Sequence, residues 1–418
     1  MKDHTDRTQR RGARPAHRSL GRPFRQLWFA VVISSSGDGM FVTAFPLLAA
    51  TLTRDPVLIA GITIATRLPW LVLSMVTGAI ADRMDRRRLM VGADLVRFVI
   101  VAALGITIVA DVVNVWMLYV CAFGLSAFET LHVNAGQAIL PALVEPDDLL
   151  EGNARFASAQ IAAGQFVGPP AGSLLFSAAT SLPFVVDAVT FVASAALISS
   201  IPDVHQVEPP TTRLRDDIRE GLSFVWAHPV LRCLATVLAA VNLFYFSAYA
   251  VLVLYTQQRL HSGTVVFTGT LLATAVGVVL SRAVLGVVNR RFGVAGGLGV
   301  ALWLWALTMV GLALTSSGVV AVGCFVVMGV GNGLWMILNT TMRQQVTPPR
   351  LLGRMNAAFR TISWGIVPIA AAFGGVMAKA FGIRAPFVLA GCGLVLIACS
   401  ARWVFAPVRA QESAYPAQ

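Results

Sequence analysis

Twelve apolar stretches, each about 20 residues or longer, constrain this chain more than any other feature of it. They run approximately over residues 26–50, 57–80, 89–110, 114–138, 155–177, 182–201, 232–256, 264–288, 296–315, 318–340, 356–380 and 384–405. About 20 residues of α-helix cross the roughly 30 Å hydrocarbon core of a bilayer. A backbone inside that core must satisfy its own hydrogen bonds, so each stretch is expected to be a helix. Composition points the same way: 12% of the 418 residues are charged and mean hydropathy is +0.74, against roughly 25% charged in a soluble domain. The expected fold class is an all-α membrane protein with twelve transmembrane helices.

Loop charge gives the orientation. One set of loops holds Arg83, Arg86, Arg87 and Arg88, then Arg213, Arg215 and Arg219, then Arg290, Arg291, Arg343, Arg350 and Arg354, and finally Arg409. The opposite loops hold little beyond Arg54, Asp111, Arg259 and Arg384. Arginine on one side only predicts a multi-pass protein of the cell (plasma or inner) membrane with both termini in the cytoplasm. The same scatter of short arginine clusters accounts for the net charge of +12 without a nucleic-acid partner. Residues 1–22 read as a basic, disordered cytoplasmic tail, and the apolar run from Leu27 is too long for a cleaved signal peptide.

The one long loop divides the chain into equal groups. Expected units are a six-helix bundle over 23–201, a cytoplasmic linker over 202–230, a second six-helix bundle over 231–406 and a tail over 407–418. Within the linker, Leu214, Ile218, Leu222 and Val225 recur at helical spacing among Arg215, Asp216, Arg219 and Glu220, the pattern of an amphipathic surface helix. Two groups of six suggest internal duplication. A weak echo supports it: Gly78–Arg88 closes the second span and Gly286–Gly293 (GVVNRRFG) the eighth.

Other chemistries find little footing. The five cysteines all lie in apolar stretches with no metal-ligand spacing, so no metal site is expected. A Walker A lysine follows a glycine, and neither of the two lysines, Lys2 and Lys379, does. With no H-E-x-x-H and no large extramembrane domain, the chain is not expected to be an enzyme and no cofactor is expected. A membrane-embedded sensor or enzyme is the alternative from another class.

The stretch Gly78-Ala79-Ile80-Ala81-Asp82-Arg83-Met84-Asp85-Arg86-Arg87-Arg88 resembles the loop signature of the major facilitator superfamily, with Asp85 where glycine is commonest. Gly164-Gln165-Phe166-Val167-Gly168-Pro169-Pro170-Ala171-Gly172-Ser173 resembles the antiporter-associated motif of its exporters, with Ser173 replacing the final glycine. Shorter pieces, among them Ser36–Met40, Ala93–Arg97 and Glu220–Trp226, are similar to the enterobactin-exporter and macrolide-efflux branch. The resemblance implies two pseudo-symmetric six-helix bundles, a gating loop carried by Gly78, Asp82, Arg83 and Arg86, and an exporter motif at Gly164, Gly168, Pro169 and Gly172. It implies a secondary transporter driven by the proton gradient, exporting a small hydrophobic or amphipathic molecule such as a drug, natural product or siderophore. Import or uniport of a small metabolite is the alternative within transport. Expected partners are the substrate, protons and membrane lipid, and a monomer is expected.

The residues themselves allow plainer roles for both motifs. The arginines of the loop also serve as topogenic charge. Glycines four apart bare one helix face for close packing, and the proline pair bends the helix.

Charges at bilayer depth cost about 2.5–3.5 kcal/mol or more, which makes each a functional candidate. Asp38 lies near the middle of span one and Arg67 near the middle of span two, while Glu129 and His132 share one face of span four. A carboxylate in such a cavity can alternate between proton-bound and charged forms under the influence of a nearby arginine. Asp38 and Glu129 are therefore the expected proton-coupling residues, with Arg67 and His132 beside them. A static ion-pair network that orients the helices is the competing account; Asp94 and Arg97 fit it, as do Arg282 and Lys379 as snorkelling cations. Asp187 and Arg360 are open between the two roles. Trp70, Phe123, Phe128, Phe244, Tyr245, Tyr249, Trp335, Trp364 and Asn332 are the expected cavity wall.

Overall fold

The computed structural model describes residues 20–145, 148–202 and 214–414. The basic tail therefore lies outside the described residues up to residue 19, as do linker residues 203–213 and the last four residues. Helices account for every regular element in what is described. The first half contains α1 (Gly21–Leu52), α2 (Pro56–Val72), α3 (Ser74–Arg83), α4 (Arg86–Val109), α5 (Val115–Ile139), α6 (Leu149–Ile161), α7 (Gly168–Ala178) and α8 (Leu182–Ser199). The second contains α9 (Leu214–Ala227), α10 (Pro229–Tyr249), α11 (Leu252–Gln258), α12 (Thr264–Leu314), α13 (Gly318–Val346), α14 (Leu352–Trp364), α15 (Val367–Phe381), α16 (Ala385–Val404) and α17 (Ala406–Ala414).

Nine stretches among the described residues, some spanning two helices, are long and apolar enough to cross a membrane. The apolar segments and the helices differ where backbone chemistry intervenes. The second apolar segment is two helices, broken at Leu73, and Pro69 within the first of them removes the donor to residue 65. The fifth is α6 and α7 joined through a π-helical turn at Ala162–Val167, which leads into Pro169 and Pro170. Segments eight and nine follow one another directly within α12 as two helices broken at Gly293, whose φ is +66. An allowance for these composite helices is consistent with twelve crossings.

A helix break falls at the corresponding place in each half. After α3 the chain leaves the helix at Met84 and restarts with Asp85 as N-cap, its carboxylate accepting from the Arg88 amide at 3.1 Å. In the second half the break is the single non-helical residue Gly293, and a new helix begins directly after it. A side chain at 293 would strike the Glu412 carboxylate, which accepts from the amides of Val294 (2.8 Å) and Ala295 (3.4 Å). Glu412 on α17 thus caps the restarted helix, where a carboxylate is favoured by the exposed N–H groups and the helix dipole.

Close glycine crossings set the packing of each bundle. A Cβ at Gly168 would lie 2.5 Å from Gly39 Cα and 2.6 Å from Ser36 O, and one at Gly172 would lie 2.7 Å from Met40 Cα. Thr43 reinforces this α1–α7 seam by donating its hydroxyl to Pro169 O at 3.1 Å. In the second half, Gly374 on α15 rests on the Ser247 backbone of α10. Both seams bring backbones together as small residues permit.

The two halves meet at one end through α2 and α15. Gly375 leaves room for Pro56, Val57 and Ala60, and a Cβ there would approach Ala60 Cβ to 2.9 Å. Lys379 Nζ pairs with Asp55 Oδ2 at 2.6 Å, and Arg54 donates to Gln257 Oε1 at 2.9 Å. Asp55 is also the N-cap of α2, accepting from the Val57 amide at 2.9 Å. Toward the other end the halves enclose a cavity.

Candidate functional site

The first half presents a cluster built on Arg97. Its guanidinium donates to Asp38 Oδ1, to Ser34 Oγ at 3.4 Å and to Asp94 Oδ1 at 3.5 Å, and sits 4.1 Å from the centre of the Phe191 ring. His132 Nδ1 lies 3.0 Å from Asp94 Oδ1. Arg97 and Asp94 are almost wholly buried, at 2% and 0% exposure, whereas the Asp38 side chain is 29% exposed. An arginine is fixed between one buried and one cavity-facing carboxylate.

Local sequence explains why Asp38 can reach it. Gly37 and Gly39 flank Asp38, and both are pressed by neighbours. A side chain at 37 would collide with Asp187 Oδ1 and Thr190 Oγ1; one at 39 would lie 2.5 Å from Gly164 O. The glycines let α8 and the π-helical turn close on α1, so Asp187 enters the same cavity. Asp187 is 2% exposed and accepts from Thr190 Oγ1 at 3.1 Å.

A cavity of about 400 Å³ is lined by Asp38, Glu129 and Asp187 together with Arg67, Arg97 and Trp70. Trp70 Nε1 donates to Glu129 Oε2 at 3.4 Å. Of the four residues expected from sequence, Asp38, Arg67 and Glu129 share this wall, while His132 stands behind it against Asp94. Asp94 and Arg97, expected to fit a static ion-pair network, do pair, but Arg97 also reaches across to Asp38, which was not expected. The signal was in the spacing, since Asp94 and Arg97 lie one turn apart, but their partner helix was not.

A second cavity of about 710 Å³ lies in the other half and shares Arg67 and Tyr249 with the first. Tyr245, Trp305, Trp335, Trp364 and Asn332 line it. Arg67 bridges the halves, its guanidinium 5.9 Å from the ring centres of both Phe246 and Trp364. Among the expected wall residues, Phe123 is instead 41% exposed, and the Phe244 ring packs on Gly393. Phe128 lines neither cavity.

The two motifs occupy different surroundings. Gly164 lines the carboxylate-bearing cavity, and Gly168, Pro169 and Gly172 form the α1–α7 seam. At the gating loop, Gly78 is loosely surrounded, with Asn134 Nδ2 3.9 Å from a Cβ placed there. Arg83 is exposed, and Arg86 Nε donates to Ala81 O at 3.4 Å. The Asp82 side chain lies outside the described residues. Among those residues, no group of three or more His, Cys, Asp or Glu side chains is placed to hold a metal ion.

Comparison with known proteins agrees with this architecture. The chain is 28% identical over 402 residues to the multidrug efflux pump Tap of Mycolicibacterium fortuitum, covering 92% of this chain and 96% of that one. It is 24% identical over 398 residues to macrolide efflux protein A of Streptococcus pyogenes, covering 90% and 94%. In fold it is similar to a bacterial homologue of the iron transporter ferroportin in its inward-facing state, with TM-score 0.73 and 17% identity over 93% of this chain and all of that one. The family model described as transmembrane secretion effector matches residues 20–417, and the chain belongs to that family, within the major facilitator superfamily.

Proposed function

We propose that this protein is a proton-coupled antiporter that exports small amphipathic molecules across the cell membrane by alternating access, with both termini in the cytoplasm. The observation that carries the reading is the contact of buried Arg97 with cavity-facing Asp38, in a wall shared by Glu129 and Asp187. A proton on Asp38 weakens its hold on Arg97; a deprotonated Asp38 restores it. Substrate and proton then compete for one cluster, as exchange requires. The efflux functions carried in the names of the two similar pumps support the export direction.

Inverted vesicles test the coupling. Asp38→Asn with Glu129→Gln is expected to reduce pH-gradient-driven uptake of an exported dye to background, while dye–dye exchange without a gradient persists. Gradient-driven uptake that survives both substitutions refutes the proposal.

In this reading the α2–α15 junction is the outer gate, closed here, with the cavity facing the cytoplasm. The hydrogen bond from Lys379 holds the Asp55 carboxyl below the usual carboxylate range. A lowered carboxylate pKa means the pair stabilises the closed gate at neutral pH and is lost only as pH falls through that lowered value. Both partners are partly exposed, so the pair is worth under about 1 kcal/mol. Lys379→Met is therefore expected to raise the outward-open population by no more than about fivefold, read as spin-label distances between positions 51 and 380. A larger shift would mean that the pair, rather than the packing around Gly375, holds the gate.

A further inference from the structure

The larger cavity carries an imbalance that proton coupling leaves unexplained. Three guanidiniums, those of Arg67, Arg343 and Arg360, face it from α2, α13 and α14, and no carboxylate lines it among the described residues. Arg343 is held only by neutral partners: it donates to Asn356 Oδ1 at 2.9 Å and to Thr340 Oγ1 at 3.4 Å, and lies 4.3 Å from the Phe359 ring centre. Arg67 and Arg360 have no hydrogen-bond or ion-pair partner among the described residues. Arg360 is exposed and Arg67 shares the wall of the smaller cavity with Glu129, so the charge left without a carboxylate is that of half-buried Arg343, a costly state unless an anion meets it. The rest of the wall is aromatic and amide, with Tyr245, Trp335 and Trp364 offering ring faces and Asn332 a polar edge.

We infer that this cavity is the cargo subsite and that it selects an aromatic anion, its acidic group held by Arg343 and Arg360 and its rings against Tyr245 and Trp364. The inference rests on the transporter reading above and names the charge of its substrate. Guanidinium groups fit a carboxylate with paired, charge-assisted hydrogen bonds, and aromatic walls accept a flat apolar body. Arg343 and Arg360 would thus fix the acidic group of the cargo in the larger cavity, next to the wall on which substrate and proton compete for the Asp38–Arg97 contact. Arg67, shared by both, lets an arriving anion be felt at the proton site. A cationic dye can use the ring faces of the larger cavity but finds no carboxylate there among the described residues, and meets carboxylates in the smaller one.

The test compares two xanthene dyes of similar size, anionic carboxyfluorescein and cationic rhodamine 6G, binding to full-length protein in nanodiscs of zwitterionic lipid, followed by fluorescence anisotropy. The double variant Arg343→Gln with Arg360→Gln is expected to weaken carboxyfluorescein binding about tenfold or more and to leave rhodamine 6G within about twofold. Arg343→Lys with Arg360→Lys, which keeps the charge, is expected to restore most of the anionic binding. Equal losses for both dyes, absence of carboxyfluorescein binding to the unmodified protein, or anionic affinity indifferent to the double Gln variant overturns the inference. Because binding is measured without a gradient, arginine-dependent binding with no uptake in inverted vesicles counts against the antiport reading alone. Gradient-driven uptake with arginine-independent binding counts against the subsite alone.

Discussion

Arg97→Ala is expected to abolish transport and to destabilise the protein by about 3–5 kcal/mol, the cost of leaving a buried charge without its partner. The expectation follows from the geometry on both sides of the guanidinium. Asp94 is fully buried beside it, and His132 is the other ionisable group within reach of that carboxylate. Asp38 faces the cavity and is free to take up water or a proton once Arg97 is gone. The stability loss is therefore assigned chiefly to Asp94 and the transport loss to Asp38. Two second-site substitutions separate them. In the Arg97→Ala background, Asp94→Asn is expected to recover most of the melting temperature without recovering transport. Asp38→Asn in the same background is expected to recover neither fully. Thermal melting of the purified protein and dye uptake in inverted vesicles read the two quantities independently. An unchanged melting temperature for Arg97→Ala would show that the cluster is not a buried ion network at all.

The sequence made the helical membrane architecture plain, because a bilayer imposes length and apolarity on each crossing independently of its neighbours. The charged candidates were legible for the same reason: Asp38, Arg67 and Glu129 stand out against apolar surroundings, and all three reach one cavity. Arg97 was harder. Its one-turn spacing from Asp94 is visible, but whether its long side chain stays with Asp94 or crosses to Asp38 depends on how closely α1, α4 and α8 pack. That closeness is set by Gly37 and Gly39, whose effect is on a neighbouring helix. The break at Gly293 was legible, since apolar content falls around Arg290 and Arg291 as it does in a loop. The cap on the following helix was not, because Glu412 lies 119 residues later in the chain. Much of the wall of the larger cavity was legible, but the meeting of Arg343 with Arg67 and Arg360 was not, because the three come from different helices and Arg343 reads as loop charge.

The glycine motif of the fifth segment gives the other large effect, and it separates packing from transport. Gly168→Ala is expected to abolish the folded protein or nearly so, since its Cβ would lie 2.5 Å from Gly39 Cα and 2.8 Å from Gly39 C. These are backbone atoms of a facing helix, so relief requires α1 and α7 to move apart, at a cost beyond the 1–3 kcal/mol typical of overpacking. Gly172→Ala meets the Met40 backbone at 2.7 Å and is expected to behave similarly. Gly164→Ala is different: the nearest atom, Ser35 O, is 3.5 Å away, an ordinary contact. Expression level and melting temperature are thus expected to drop for Gly168→Ala and Gly172→Ala and to hold for Gly164→Ala. Gly164 alone of the three lines the carboxylate-bearing cavity. If Gly164→Ala keeps its stability and loses gradient-driven efflux, the motif serves transport through its cavity face as well as through its seam. If efflux follows stability across all three variants, the motif acts through the α1–α7 crossing, and its link with export lies in how that crossing holds Asp38 against Arg97.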